Sequence, residues 1–152
     1  MISKYIVLHE SDKVLMVLRP YQYHAVEAIV ERVKNGRKNG YIWHTTGSGK
    51  TLTSFKAAQV LVSLPKVHKV VFVVDRADLD YQTTREFNFF REGSVDGTSN
   101  TGSLVTQLEG DHQLIVTTIQ KLNNAICHKR FSPRIEALRN ERVVFILSLI
   151  HI

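Results

Sequence analysis

Apolar positions along the chain change their spacing several times, and each change predicts an element. Val26, Ile29, Val30 and Val33 recur at i, i+3, i+4 and i+7, the stripe of a helix buried on one side. Pro20 suits the first turn of that helix, where no amide hydrogen is needed, and the polar run N-G-R-K-N-G at 35–40 ends it. Y-I-W-H-T-T at 41–46 predicts a short strand, and Leu52, Phe55, Ala58, Leu61 and Val62 give an apolar side to a helix from about Lys50 to Ser63. K-V-V-F-V-V-D at 69–75 is a continuous β-branched run, as expected of a parallel strand covered on both faces. A helix capped by Asp78 follows, with Leu79, Phe87 and Phe90 inward. Residues 93–103 read as a loop, Leu114–Thr118 as a strand and Lys121–Ile126 as a helix. Ser132 and Pro133 start a further helix, and R-V-V-F-I-L at 142–147 is a fourth core strand. The opening is ambiguous, with short apolar runs at Tyr5–Leu8 and Val14–Leu18.

Strand and helix alternate, which predicts an α/β fold with a parallel sheet and right-handed crossovers. A chain of 152 residues is long enough for one domain, and 43% hydrophobic with 22% charged residues is a globular composition. No apolar run approaches the roughly 18 residues that span a bilayer. The N-terminus lacks a cationic start followed by a long apolar core, so no signal peptide is expected. One cysteine, Cys127, excludes an internal disulfide and fits a reducing compartment, so the expected location is the cytoplasm. The net charge of +6 is uneven: residues 1–76 hold 12 Lys/Arg against 5 Asp/Glu, residues 77–152 hold 8 against 9. A basic half attracts phosphate polymers, although a solvated surface has the same composition.

The string H-T-T-G-S-G-K-T at 44–51 carries the chemistry. Gly47 and Gly49 lack Cβ, so the backbone can wrap closely round a phosphate and turn its N–H groups inward. Those amides and the start of the following helix form an anion seat. Lys50 supplies a mobile positive charge to the β and γ phosphates, and the Thr51 hydroxyl suits Mg²⁺. His44 stands where the phosphate-loop pattern has its first glycine; it reads either as a phosphate or switch ligand or, more simply, as a histidine packed at the end of a core strand. The remaining histidines show no metal-ligand spacing, and no nucleophile–base–acid set is visible. Gln22 lies four residues before Val26, at the edge of the helical stripe, where an amide can read the donor and acceptor edge of adenine or simply be an exposed helix-start residue.

With these residues in view, the chain resembles the R (restriction and translocation) subunit of type I restriction–modification enzymes, in the first lobe of its superfamily 2, helicase-like motor. The resemblance runs from about Val14 to Ile146. L-R-P-Y-Q-Y-H-A-V-E-A-I (18–29) resembles the adenine-sensing Q motif, and G-Y-I-W-H-T-T-G-S-G-K-T-L-T-S-F-K-A-A (40–58) resembles motif I, histidine included. V-V-F-V-V-D-R-A-D-L-D-Y-Q (70–82) resembles motif Ia, and L-I-V-T-T-I-Q-K-L-N-N-A-I (114–126) the DNA-side motif that follows. The resemblance implies a RecA-like P-loop fold, incomplete, spanning 18–146 after a linker or the end of an upstream region at 1–17. It implies ATP binding by Arg19, Gln22, Thr45, Thr46, Gly47, Ser48, Gly49, Lys50 and Thr51, with Lys50 catalytic and Thr51 on Mg²⁺. Arg76, Gln82, Thr117, Thr118 and Gln120 would contact the DNA backbone; strand-end and helix-cap roles are the alternatives at each. The implied cofactors are ATP and Mg²⁺, and the implied partners are double-stranded DNA and the specificity and methyltransferase subunits. Another superfamily 2 helicase or remodeller, or a non-catalytic nucleotide-binding module, remains the alternative.

This sequence departs from the family after Ile146, where an Asp-Glu-Cys-His box is expected and L-S-L-I-H-I stands instead. Those six residues are what the bases CTGTCTCTTATACACATC encode, a string that resembles a transposon-end sequencing adapter, so residues 147–152 are read as a non-native tail. The nuclease and the second motor lobe of the family have no counterpart in these residues either, so the piece is expected to bind ATP without turnover.

Overall fold

The computed structural model describes residues 5–9, 12–36, 38–75, 83–88, 96–97, 100–129 and 131–148. Its centre is β3 (Lys69–Val74), whose six residues are all buried, as the unbroken β-branched run requires of a strand flanked by neighbours and covered above and below. The parallel sheet has the order β4-β5-β3-β6, with β4 at Asp96–Gly97, β5 at Leu114–Thr118 and β6 at Val143–Ser148. Val70 is paired with Leu114 and Val144, and Val74 with Thr118 and Ser148, so the three long strands leave the sheet at a common edge. A separate hairpin pairs β1 (Ile6–His9) with β2 (Val14–Val17).

Alternation along β3 divides the core in two. Val70, Phe72 and Val74 face α1 (Pro20–Lys34) and α2 (Lys50–Val62), packing with Val26, Leu52, Phe55, Ala58 and Leu61. Residues 83–88 form α3, and its fully buried Phe87 sets its ring 5.2 Å from Phe55 and 5.0 Å from Phe72. On the opposite face Val71, Val73 and Ile115 meet Leu104, Val105 and Leu108 of α4 (Thr101–Glu109) and Ala125 of α5 (Ile119–Cys127). A short helix α6 (Ser132–Glu136) and a 3₁₀ turn (Ala137–Asn140) lead into β6. Among the described residues no helix is long and apolar enough to cross a membrane.

The structure differs from the expectations at several points. Residues 41–46 form no strand: Tyr41 and Trp43 are 91% and 84% exposed, and among the described residues nothing pairs with the segment. Alternating apolar residues make a strand only where a ladder partner takes up the backbone groups. The stretch 93–103 is not all loop, because Asp96 and Gly97 pair with Ile115 and Val116, and α4 begins at Thr101. Asn100 caps α4 by accepting from the Ser103 N–H at 2.8 Å. The strand expected to end at Leu147 takes in Ser148 as well. Within 1–17, read as a linker or the end of an upstream region, the hairpin packs on the helices: Val7 is buried in the core, and Lys56 on α2 donates to the Ile6 carbonyl at 2.9 Å. The proposed cap Asp78, with Leu79 and Phe90, lies outside the described residues.

Candidate nucleotide site

The loop between residues 44 and 50 is built from two left-handed glycines. Gly47 has φ +77° and Gly49 φ +75°, which an L side chain adopts only at a cost, and Gly49 is also the N-cap of α2. A Cβ on Gly49 would come closer to Nε2 of Gln22 than any real Cβ approaches another atom. The left-handed φ is what favours glycine there, and a Cβ would in addition displace the Gln22 amide. The first intrahelical bond of α2 runs from the Thr53 N–H to the Gly49 carbonyl at 3.1 Å, and the Thr53 hydroxyl doubles it at 3.0 Å. The N–H groups of Gly49, Lys50 and Thr51 precede that bond and have no acceptor within the helix. They are the groups that the sequence reading assigns to an anion seat, with Lys50 and Thr51, both half-buried, in the first turn of α2.

Ser48 is the hub that fixes the loop. Its hydroxyl donates to the Thr45 carbonyl at 2.7 Å, so the 2.9 Å contact with His44 Nδ1 must be donated by the imidazole, which selects the Nδ1–H tautomer. His44 is thus not packed in the core: half-exposed, it braces the loop through Ser48. The Ser48 carbonyl accepts from Gln22 Nε2 and from the Tyr21 hydroxyl, each at 3.0 Å. Both donors sit in the first turn of α1, so the start of one helix holds the loop that opens the next.

Gln22 is only 4% exposed, contrary to an exposed helix-start residue. Its Oε1 accepts from the Arg19 N–H at 2.9 Å, capping α1, while one of its amide hydrogens serves Ser48. Among the described residues one N–H and one lone pair are left over, a donor and an acceptor of the kind that could pair with a base edge. Arg19 is exposed immediately before α1, and Thr45 and Thr46 are exposed on the loop. Sequence reasoning identified Gln22 but missed Tyr21, because the contact joins residues 27 apart and leaves no mark in local spacing.

The DNA-side residues divide. Thr117 and Thr118 are buried at the end of β5, and the Thr118 hydroxyl accepts from the Lys121 N–H at 3.2 Å to cap α5. Gln120 is exposed in the first turn of α5. Arg76 and Gln82 lie outside the described residues. Among the described residues no group of three His, Cys, Asp or Glu side chains is placed to hold a metal ion.

Comparison with known proteins gives a consistent picture. The SWI2/SNF2 ATPase family matches residues 21–148. The chain is 53% identical over 152 residues to the endonuclease subunit of the type I restriction enzyme SsaAORF53P of Staphylococcus saprophyticus, covering 99% of this chain and 16% of that one. It is 51% identical, with the same coverage, to the SauCOLORF180P endonuclease subunit of Staphylococcus aureus. It is 44% identical over 154 residues to the C-terminal part of the MpnIIP endonuclease subunit of Mycoplasma pneumoniae, covering 93% of this chain and 74% of that one. The chain therefore spans about a sixth of the length of its staphylococcal relatives.

Proposed function

We propose, from the premise that this chain belongs to the endonuclease-subunit family of type I restriction enzymes and to the SWI2/SNF2 ATPases, that it is the ATP-binding part of a DNA-translocating motor with a RecA-like core. One observation carries the reading: the left-handed glycine loop opens α2 with Lys50 and Thr51 in its first turn, and the buried Gln22 stands against it. In this reading Gln22 orients adenine through its free N–H and lone pair, with Arg19 at the rim. The amides of 47–51 hold the phosphate chain, the hydroxyls of Thr45, Thr46 and Ser48 border it, and Lys50 neutralises charge between the β and γ phosphates. Thr51 would hold Mg²⁺ together with phosphate oxygens and water, a donor set that suits a hard ion that keeps much of its hydration. Bound there, the ion would supply further neutralisation of the phosphate charge.

DNA lies, in the same reading, along the common exit edge of β3 and β5. Gln120 and the first amides of α5 contact phosphates, while Thr117 and Thr118 hold that turn in place; Arg76 and Gln82 are assigned to DNA by the resemblance of their motif alone. Phosphate contacts of this kind carry no sequence information, which fits a motor whose target is read by separate specificity and methyltransferase subunits. In the intact complex the coupled activity is ATP-dependent translocation of double-stranded DNA followed by cleavage. The deciding measurement is calorimetry of MgATP with this chain and with Lys50→Ala. Binding by the parent and its loss, by tenfold or more, in the variant is expected; equal binding by both proteins overturns the assignment of the loop.

A further inference from the structure

We propose that Tyr21 is a positioning residue for phosphate binding: with Gln22 it fixes the Ser48–Gly49 peptide so that the Gly49 N–H faces the phosphate seat. The inference rests on the reading of 45–51 as a phosphate loop and adds a residue to it. A carbonyl oxygen has two lone pairs, and both at Ser48 are engaged, one by the Tyr21 hydroxyl and one by Gln22 Nε2, each at 3.0 Å. The peptide is planar and trans, so its N–H points opposite to its C=O. Turning the Ser48 carbonyl towards α1 therefore turns the Gly49 N–H away from α1, towards the face where the amides of Lys50 and Thr51 also begin α2.

Backbone sterics alone do not enforce that orientation. Gly49 carries no Cβ, so its φ is free to rotate, and the peptide can flip with little backbone cost. Flipped, it would present a carbonyl oxygen to a phosphate oxygen, which repels where the N–H attracts. Two donors on the carbonyl oppose that flip. Gln22 has other tasks, since its Oε1 caps α1 through Arg19. Tyr21 is 44% exposed, so its hydroxyl is not required to fill the core; its ring stands edge-on to His44 at 6.1 Å. His44 reaches the Ser48 side chain rather than the peptide, so it cannot replace the tyrosine.

The test compares this chain with Tyr21→Phe and Lys50→Ala. Affinities for MgATP, MgGTP and inorganic tripolyphosphate are measured by calorimetry, and the Gly49 amide is followed by NMR. Removing one hydroxyl from the carbonyl should weaken all three ligands by the same factor, roughly three- to tenfold, whatever the base. The Gly49 amide proton should shift downfield on adding tripolyphosphate to the parent and shift less in Tyr21→Phe, while the ligand-free melting temperatures agree. Tripolyphosphate binding and a Gly49 shift unchanged in Tyr21→Phe, with binding lost in Lys50→Ala, overturn the role of Tyr21 and leave the phosphate loop standing. Weakening of ATP alone also overturns it, because the tyrosine then acts on the base. Absence of binding by the parent overturns both readings.

Discussion

At Gly49 two constraints coincide, and they separate cleanly by substitution. The left-handed φ costs an L residue about 1–2 kcal/mol, and the new Cβ also drives the Gln22 amide off its place against the loop. Gly49→Ala is therefore expected to lose both loop geometry and the Ser48 contact of Gln22. Nucleotide affinity should fall at least tenfold, with a melting temperature several degrees lower; calorimetry and a thermal scan check it. Gly47→Ala meets only the φ penalty, since nothing lies within 4 Å of a Cβ there, so its effect should be the smaller. At this scale the glycine spacing, Lys50, Thr51 and the candidate Gln22 were legible in the sequence, because each type is needed for a local reason. Tyr21 and the His44–Ser48 brace were not: the first contact depends on how α1 docks on the loop, and the second on a turn whose path periodicity does not encode.

Among the elements, those announced by strong local signals match: β3 by its continuous apolar run, α1 by Pro20 and its stripe, α2 by the apolar side that follows the loop. The helix α4 is not evident from periodicity because Thr, Gly and Ser fill its first turn and dilute the stripe of Leu104, Val105 and Leu108. Asn100 was the available signal. Asn100→Ala should lower stability by about 0.5–2 kcal/mol, with amide exchange rising first in α4 and leaving the β3–β5 ladder protected. A second prediction concerns the end of the same helix, where Glu109 pairs with Arg134 of α6. The Arg134 guanidinium, by hydrogen bonding and then by charge, holds the Glu109 carboxyl below the ordinary carboxylate value. A carboxylate depressed in the folded state stabilises the fold above its unfolded pKa, and the contribution disappears as pH falls through the folded value. Melting temperatures of the parent and Glu109→Gln should therefore differ slightly near neutrality, since the pair is solvent-facing, and converge in acid. A gap that persists or widens in acid would rule the ion pair out as its cause.

On the scale of the molecule, β3 is covered on both faces and flanked on both sides, whereas β6 leaves Phe145 and Leu147 exposed, and Tyr41 and Trp43 stand free beside the loop. The residues proposed to recognise a nucleotide are thus gathered at one end of a well-packed two-sided core, and among the described residues no carboxylate hydrogen-bonds to the loop. Phosphoryl transfer requires a residue that orients the attacking water and a cation that meets the charge of the transition state, beyond the lysine of the loop. In the hydrogen-bond network around Ser48 the partners among the described residues are Tyr21, Gln22, His44 and Thr45, none of them a carboxylate. Asp75 at the end of β3 is followed by residues outside the described set, and the strand β6 continues into Leu147 and Ser148 rather than into an acidic pair. A polypeptide of these 152 residues should accordingly bind MgATP but release phosphate no faster than the uncatalysed background, with or without duplex DNA. The measurement is a continuous phosphate-release assay on the protein whose nucleotide binding has first been established by calorimetry. Release that is sustained over many turnovers, stimulated by DNA and abolished in Lys50→Ala would mean that these residues alone position the water, and the separation of binding from hydrolysis argued from the fold would be wrong.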